Sequence, residues 1–180
     1  MNKRLIILIL ICLPILFSGC KKNNEPVYTG IVTIDNTIYP TGNNYYAVGF
    51  SFELGKKIKT TEEPGADLVV LAAPSGMAID SVYLDTSNLT ESFALAGEFT
   101  TSQEAKDFYN SLTRVESYNW TLVAGDIADN QVWIFKTREG HYVKIRLIDV
   151  IGEMQGSVPY AEVEFQWRIQ PDGSATFPEE

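Results

Sequence analysis

Apolar and polar residues alternate along most of the chain after residue 27, and the alternation is clearest near the C-terminus. There, five apolar residues at every second position from Ala161 to Ile169 alternate with charged or amide side chains. A period of two puts successive side chains on opposite faces of a strand, so this segment predicts one buried and one wet face. Similar runs bounded by turn residues predict strands at 27–34, 45–54, 67–72, 81–84, 92–100, 131–137, 142–151 and 160–170, with a short candidate strand at 175–177.

One segment follows the helical period instead. Thr101 and Glu104 have the spacing of a capping box, and apolar residues at 105, 108, 109 and 112 follow at intervals that share a helix face. We therefore predict one helix at about residues 102–113, and assign no element to residues 116–130. The predicted fold class is mainly β: an antiparallel β-sandwich-like domain with one short helix covering an edge or an end.

The first twenty residues follow neither period. Lys3 and Arg4 precede an apolar run that is shorter than the ~20 residues needed to span a bilayer, which is typical of a secretory signal peptide. The small residues before Cys20 resemble the lipobox of bacterial lipoproteins, which implies that Cys20 carries lipid. We predict a lipoprotein signal peptide at 1–19, a flexible tether at 20–26 and a single β-rich domain at 27–180. The alternative is an ordinary secretory peptide with an incidental cysteine.

Charge and cysteine content exclude several classes of function. The formal net charge is −9, and removal of residues 1–19, which hold two basic residues and no acid, makes it −11 (12 basic minus 23 acidic). A surface of this sign repels phosphate backbones, which argues against a nucleic-acid partner. The only cysteines are Cys12, inside the signal, and Cys20, so the domain has no thiol for a disulfide or a nucleophile.

The remaining residues offer little for common enzyme chemistry, so we expect a protein that is not an enzyme. His141 is the only histidine, and the chain has no Gly-x-Ser-x-Gly elbow and no phosphate-binding glycine loop. Carboxylates on one strand face, such as Glu162 and Glu164, leave a carboxylate-pair hydrolase as one alternative. Another alternative is glycan binding on a platform of exposed rings. The candidate rings are Tyr45, Tyr46, Tyr83, Tyr109, Tyr118, Trp120, Trp133, Tyr142, Tyr160 and Trp167.

Several segments resemble a known family. Residues 132–140 (Val-Trp-Ile-Phe-Lys-Thr-Arg-Glu-Gly), 142–146 (Tyr-Val-Lys-Ile-Arg) and 164–173 (Glu-Phe-Gln-Trp-Arg-Ile-Gln-Pro-Asp-Gly) are similar to the HmuY-like haem-binding lipoproteins of Bacteroidetes. Residues 50–55 and 66–70 resemble the N-terminal strand pair of that family, although Ala66-Asp67 stands where the family has Trp-Asp. The resemblance implies a mostly β fold, lipid anchoring at the outer membrane or cell surface, and haem capture for an outer-membrane transporter.

The resemblance also implies two axial side chains, His or Met, that hold the haem iron. One histidine cannot supply a bis-His pair within one chain, whereas a methionine thioether can complete haem iron. The methionines after the signal are Met77 and Met154, and both stand beside glycines that predict loops. Met77 and Met154 are therefore our candidate haem-iron ligands. The alternative is that each fills a gap at the edge of the core.

Overall fold

The computed structural model describes residues 28–88 and 90–177, which form eleven strands and one helix. The predicted signal peptide, Cys20 and the tether lie outside the described residues. In the described part, no helix is long and apolar enough to cross a membrane. The elements are β1 (Thr29–Asp35), β2 (Tyr39–Thr41), β3 (Asn44–Tyr46), β4 (Val48–Ser51), β5 (Lys56–Lys59), β6 (Val69–Ser75), β7 (Ala78–Asp85), β8 (Phe93–Glu98), α1 (Ser102–Ser111), β9 (Gln131–Lys136), β10 (Tyr142–Gln155) and β11 (Val158–Gln170).

Five strands form the central antiparallel sheet, in the order β1-β11-β10-β9-β8. β10 and β11 are a long hairpin, closed by a turn in which Gly156 has a φ of +68°. The alternation predicted for β11 is confirmed, because the apolar residues from Ala161 to Ile169 are buried while the residues between them are partly exposed. The predicted class, mainly β with antiparallel sheets and one short helix, is also confirmed.

The larger core lies between this sheet and two hairpins, β4–β5 and β6–β7, that cover one of its faces. Five rings from the two layers pack edge to face or tilted, with centroids between 5.1 and 6.3 Å apart. Burying each such ring contributes roughly 1.5–3 kcal/mol to folding, so this aromatic cluster holds the hairpins against the sheet. Its members are Phe50, Phe52, Phe135, Phe165 and Trp167.

The helix α1 lies across the other face of the sheet, over β8, β9 and β10, and not at an edge or end as predicted. Ala105 and Tyr109 of α1 pack against Val132 and Ile134 of β9. Because β9 is apolar on both faces, its outer face also needs a cover, and the amphipathic helix supplies it.

Both ends of α1 are closed by polar contacts. The capping box is confirmed: Glu104 N donates to Thr101 Oγ1 at 3.2 Å, and Thr101 N donates to Glu104 Oε2 at 3.0 Å. At the C-terminal end, the buried Lys144 of β10 donates from Nζ to Tyr109 O at 2.8 Å and to Leu112 O at 3.2 Å. The last turn of α1 has no basic residue of its own, so Lys144 provides the positive charge that a helix C-terminus favours.

Some predicted elements differ from the structure. The single strand predicted at 45–54 is divided into β3 and β4 at Ala47, whose N donates to Thr60 Oγ1 at 3.1 Å. β4 ends at Ser51, before a turn in which Gly55 has a φ of +59°. β2 and the lysine-rich β5 were not predicted, since their composition is typical of loops and of exposed strand edges. The segment 116–130 is irregular, and Thr176 makes an isolated bridge to Arg114 in place of a strand at 175–177.

The prediction that Met154 lies in a loop is wrong, because β10 continues to Gln155 and Met154 pairs with Pro159 of β11. Gly152, which suggested the loop, is a strand residue at a close contact. A Cβ at this position would lie 2.6 Å from Val82 Cγ2. Glycine is therefore needed here for the approach of β7, and not for a turn. Met77 lies in the turn between β6 and β7, as predicted.

Candidate functional site

The two candidate ligands, Met77 and Met154, lie at the same end of the molecule. The β6–β7 hairpin packs along the β10–β11 hairpin, and the contact of Gly152 with Ile79 and Val82 fixes their relative position. Each methionine lies two residues beyond the Gly152–Ile79 contact, about 7 Å toward its hairpin turn by strand rise. Met77 is 81% exposed, whereas Met154 is half-buried. The end formed by these two hairpin turns and residues 36–38 is hereafter the methionine end.

An open cleft of about 480 Å³ lies next to the Met154–Pro159 pair, and neither Met77 nor Met154 is among its lining residues. Pro159, the cross-strand partner of Met154, forms part of its wall. Ile38 and Val158 also line it, and they are 58% and 63% exposed. The volume falls within the range of roughly 300–1,000 Å³ found for small-molecule sites, which are mostly apolar. The full lining is Asn36, Thr37, Ile38, Leu71, Ala72, Gln155, Val158, Pro159 and Tyr160.

Asn36 holds one wall of this cleft. Its backbone N donates to Ala161 O at 3.0 Å, its Nδ2 donates to Pro159 O at 3.1 Å, and its Oδ1 accepts from Ala161 N at 2.9 Å. The side-chain amide thus continues the β1–β11 ladder beyond the last backbone pair and keeps Thr37 and Ile38 against β11. Sequence reasoning missed Asn36, since an Asn after a strand is typical of any turn.

The rim of the cleft is acidic. Tyr160 OH donates to Glu162 Oε2 at 2.7 Å. This hydrogen bond raises the pKa of Tyr160 to about 12, with further contributions from burial and from the charges of Glu162, Asp35 and Glu153. Tyr160 is therefore a neutral phenol at physiological pH, held in place at the edge of the cleft.

A second group of polar side chains lies at the start of β10, far along that strand from Met154. His141 Nδ1 lies 2.8 Å from Glu53 Oε1, which also accepts from Thr137 Oγ1 at 3.0 Å. His141 is half-buried, and its partner Glu53 is 88 residues away along the chain. No local pattern could have indicated this pairing.

Asp67 lines a small cavity of about 180 Å³ together with Glu53 and Glu139. Burial raises the pKa of Asp67 to about 6, while the hydrogen bond that its Oδ2 accepts from Phe52 N at 2.8 Å acts in the opposite direction. Among residues 28–88 and 90–177, no three His, Cys, Asp or Glu side chains form a group that could hold a metal ion.

The candidate rings for a glycan platform are divided between core and surface. Tyr109, Trp133 and Trp167 are buried and cannot contact a sugar. Among the candidate rings, Tyr45 of the β2–β3 hairpin is 69% exposed. Tyr46 of the same hairpin stacks on Tyr39, which was not predicted and is 38% exposed, with centroids 5.3 Å apart.

Comparison with known proteins adds no family assignment. A scan against protein-family models finds no match for this chain, and no curated protein matches it. Any function must therefore be inferred from the site residues themselves.

Proposed function

We propose that this chain is a lipid-anchored surface protein, not an enzyme, that binds haem or a related porphyrin at its methionine end for delivery to an outer-membrane transporter. The observation that carries the proposal is an apolar cleft at the end of the molecule that also holds Met77 and Met154, although neither methionine is among the residues that line it. Thioethers are soft, neutral ligands that suit haem iron.

The residues at the methionine end fit a flat apolar ligand. Ile38, Met77 and Val158 expose 58%, 81% and 63% of their surface, and exposed apolar surface grouped around a cleft is typical of a binding site. Covering it would gain roughly 25 cal/mol for each Å² removed from water. Met77 follows Gly76, which has a φ of +65°, in a two-residue turn, so its side chain extends into solvent without packing constraints.

The path of β1 fits display at a membrane surface. Tyr28 O accepts from Ile169 N at 2.9 Å, near the start of β10, and β1 then runs seven residues to Asp35 at the methionine end. Seven residues of strand span about 23 Å. The described chain therefore begins at the end of β1 that is remote from the cleft.

Titration of the full chain with haem, in mild detergent, tests this function. We expect a saturable shift of the Soret band at one haem per chain. Met77→Leu and Met154→Leu keep apolar bulk but remove the thioether, so the double variant should bind haem at least tenfold more weakly and lose the shift. Leu122→Ala, which removes an exposed apolar side chain elsewhere, is the control and should bind like the parent. No Soret change in either redox state would contradict the proposal.

Glycan binding is a second candidate, supported by the exposed rings of the β2–β3 hairpin. Tyr45 and the Tyr39–Tyr46 stack offer apolar faces on which a sugar could lie. Retention on a polysaccharide affinity gel should then be lost in Tyr45→Ala and kept in Tyr28→Ala, a control at the other end of β1. Equal retention of both variants would exclude this hairpin as the platform.

A further inference from the structure

The methionine end has no basic residue in the segments that form it. Residues 29–55, 60–105 and 147–167 contain no Lys or Arg. These segments include β1, the β2–β3 and β6–β7 hairpins, and the turn between β10 and β11. A ligand in the cleft beside Met154 therefore meets no positive side chain from any of these elements.

Three carboxylates at this end are held by uncharged hydrogen-bond donors. Glu162 accepts from Tyr160 OH at 2.7 Å. Glu153 Oε1 accepts from Gln155 Nε2 at 3.0 Å. The third, Asp35, accepts through Oδ1 from the backbone N of residue 37 at 2.8 Å. These donors fix the positions of the carboxylates without neutralising their charge.

The negative charge of these carboxylates reaches the cleft, because Tyr160 lines the cleft and the carboxylates raise the pKa of Tyr160. The hydrogen bond to Glu162 and the charges of Glu162, Asp35 and Glu153 all oppose ionisation of the Tyr160 hydroxyl, which is why its pKa is high. An anionic group of a bound ligand at the same wall would be repelled by the charges of Glu162, Asp35 and Glu153, although not by the hydrogen bond, which is the largest contribution to the Tyr160 pKa.

We propose that the methionine end selects against negative charge. A flat apolar ligand binds there through its uncharged ring, and any carboxylate that the ligand carries is turned out to solvent. The inference rests on the proposed porphyrin-binding function and adds to it the charge class of the ligand. Two carboxylates about 8 Å from a ligand anion in a water-like medium should each weaken binding about two- to threefold.

The test compares haem, which carries two carboxylates, with haem dimethyl ester, which carries none. Both are titrated into the full chain in the same detergent, and affinities are read from the Soret band. We expect the diester to bind at least as tightly as haem. The double variant Glu153→Gln, Glu162→Gln should bind haem about fivefold more tightly and the diester unchanged. Gln keeps an acceptor oxygen for Tyr160 OH and Gln155 Nε2, so the local structure is retained.

A charge-matched double variant, Glu91→Gln with Glu116→Gln, removes two exposed carboxylates elsewhere and should change neither affinity. Raising the salt concentration should reduce the difference between haem and its diester. Haem binding that is tighter than diester binding, or unchanged in the Glu153/Glu162 variant, would overturn the charge selectivity and leave porphyrin binding intact. Failure of both porphyrins to bind would overturn the proposed function itself.

Discussion

Single residues determine where the candidate ligands lie, and Gly152 is one of them. The glycine suggested a loop around Met154, but it is a strand residue whose missing side chain admits β7. A sequence shows that a glycine is present, not whether a turn or a neighbouring strand requires it. The position of Met154 could therefore not be predicted without the packing of Val82 and Ile79.

Gly152→Ala should destabilise the protein, because its Cβ would lie 2.6 Å from the stiff side chain of Val82 and 3.2 Å from Ile79 Cγ2. Overpacking of this kind costs about 1–3 kcal/mol. Urea denaturation should show a lower midpoint with an unchanged slope. Gly125→Ala, where nothing lies within 4 Å of the added Cβ, is the matched control. Equal stability of the two variants would mean that β7 does not depend on this close approach.

Asp67 should make stability depend on pH. Its folded-state pKa of about 6 lies above its ordinary value of 3.8, so between these values the folded protein holds a proton that the unfolded chain releases. This contribution to the free energy of unfolding is present in full below about pH 4 and is lost as the pH rises through about 6. A shift of this size corresponds to at most about 3 kcal/mol.

Asp67→Asn removes the titration and keeps an acceptor for Phe52 N. Its free energy of unfolding should therefore fall less than that of the parent between pH 4 and 6, as measured by urea denaturation at half-unit steps. Asp80→Asn, at an exposed position on β7, should follow the parent. Parallel curves for Asp67→Asn and the parent would show that Asp67 titrates alike in both states.

At the level of elements, the sequence pattern correctly predicts features that depend on interactions within one segment. The two-residue period of β11 and the Thr101–Glu104 capping box of α1 both lie within one segment, and both are confirmed. β5 and the outer face of β10 are features that local patterns did not predict. Lys144 lies on the face of β10 that α1 covers, and it is buried there. Strand periodicity cannot predict which face of the sheet the helix covers, because that depends on tertiary packing.

Lys144→Met should destabilise the junction of α1 and β10. The substitution keeps a long apolar stem but removes the ammonium that donates to Tyr109 O and Leu112 O, which leaves two helix carbonyls short of a donor. We expect a loss of about 2 kcal/mol. Thermal unfolding monitored by circular dichroism is the measurement, with Lys106→Met, an exposed lysine on α1, as control. Unchanged stability would show that desolvation of the ammonium cancels its hydrogen bonds.

At the scale of the whole molecule, the Glu53–His141 pair and the apolar cleft lie toward opposite ends of the central sheet. The Glu53–His141 pair and Asp67 lie toward the start of β10, near the point where the described chain begins at Tyr28. Met77, Met154 and the apolar cleft lie at the other end. The two-methionine hypothesis came from sequence and family resemblance, whereas the cleft, the Asn36 wall and the acidic rim depend on contacts between distant segments and could not be predicted.

Ligation of haem iron by methionine can be observed directly through the methionine methyl groups during haem binding. The chain has three methionines, of which Met1 belongs to the predicted signal peptide, so ¹³C-methyl labelling gives few NMR signals, and Met77→Leu and Met154→Leu assign two of them. Addition of one equivalent of ferric haem should strongly shift or broaden the Met77 and Met154 signals. Unchanged signals for both residues at saturating haem would contradict ligation of the haem iron by Met77 and Met154.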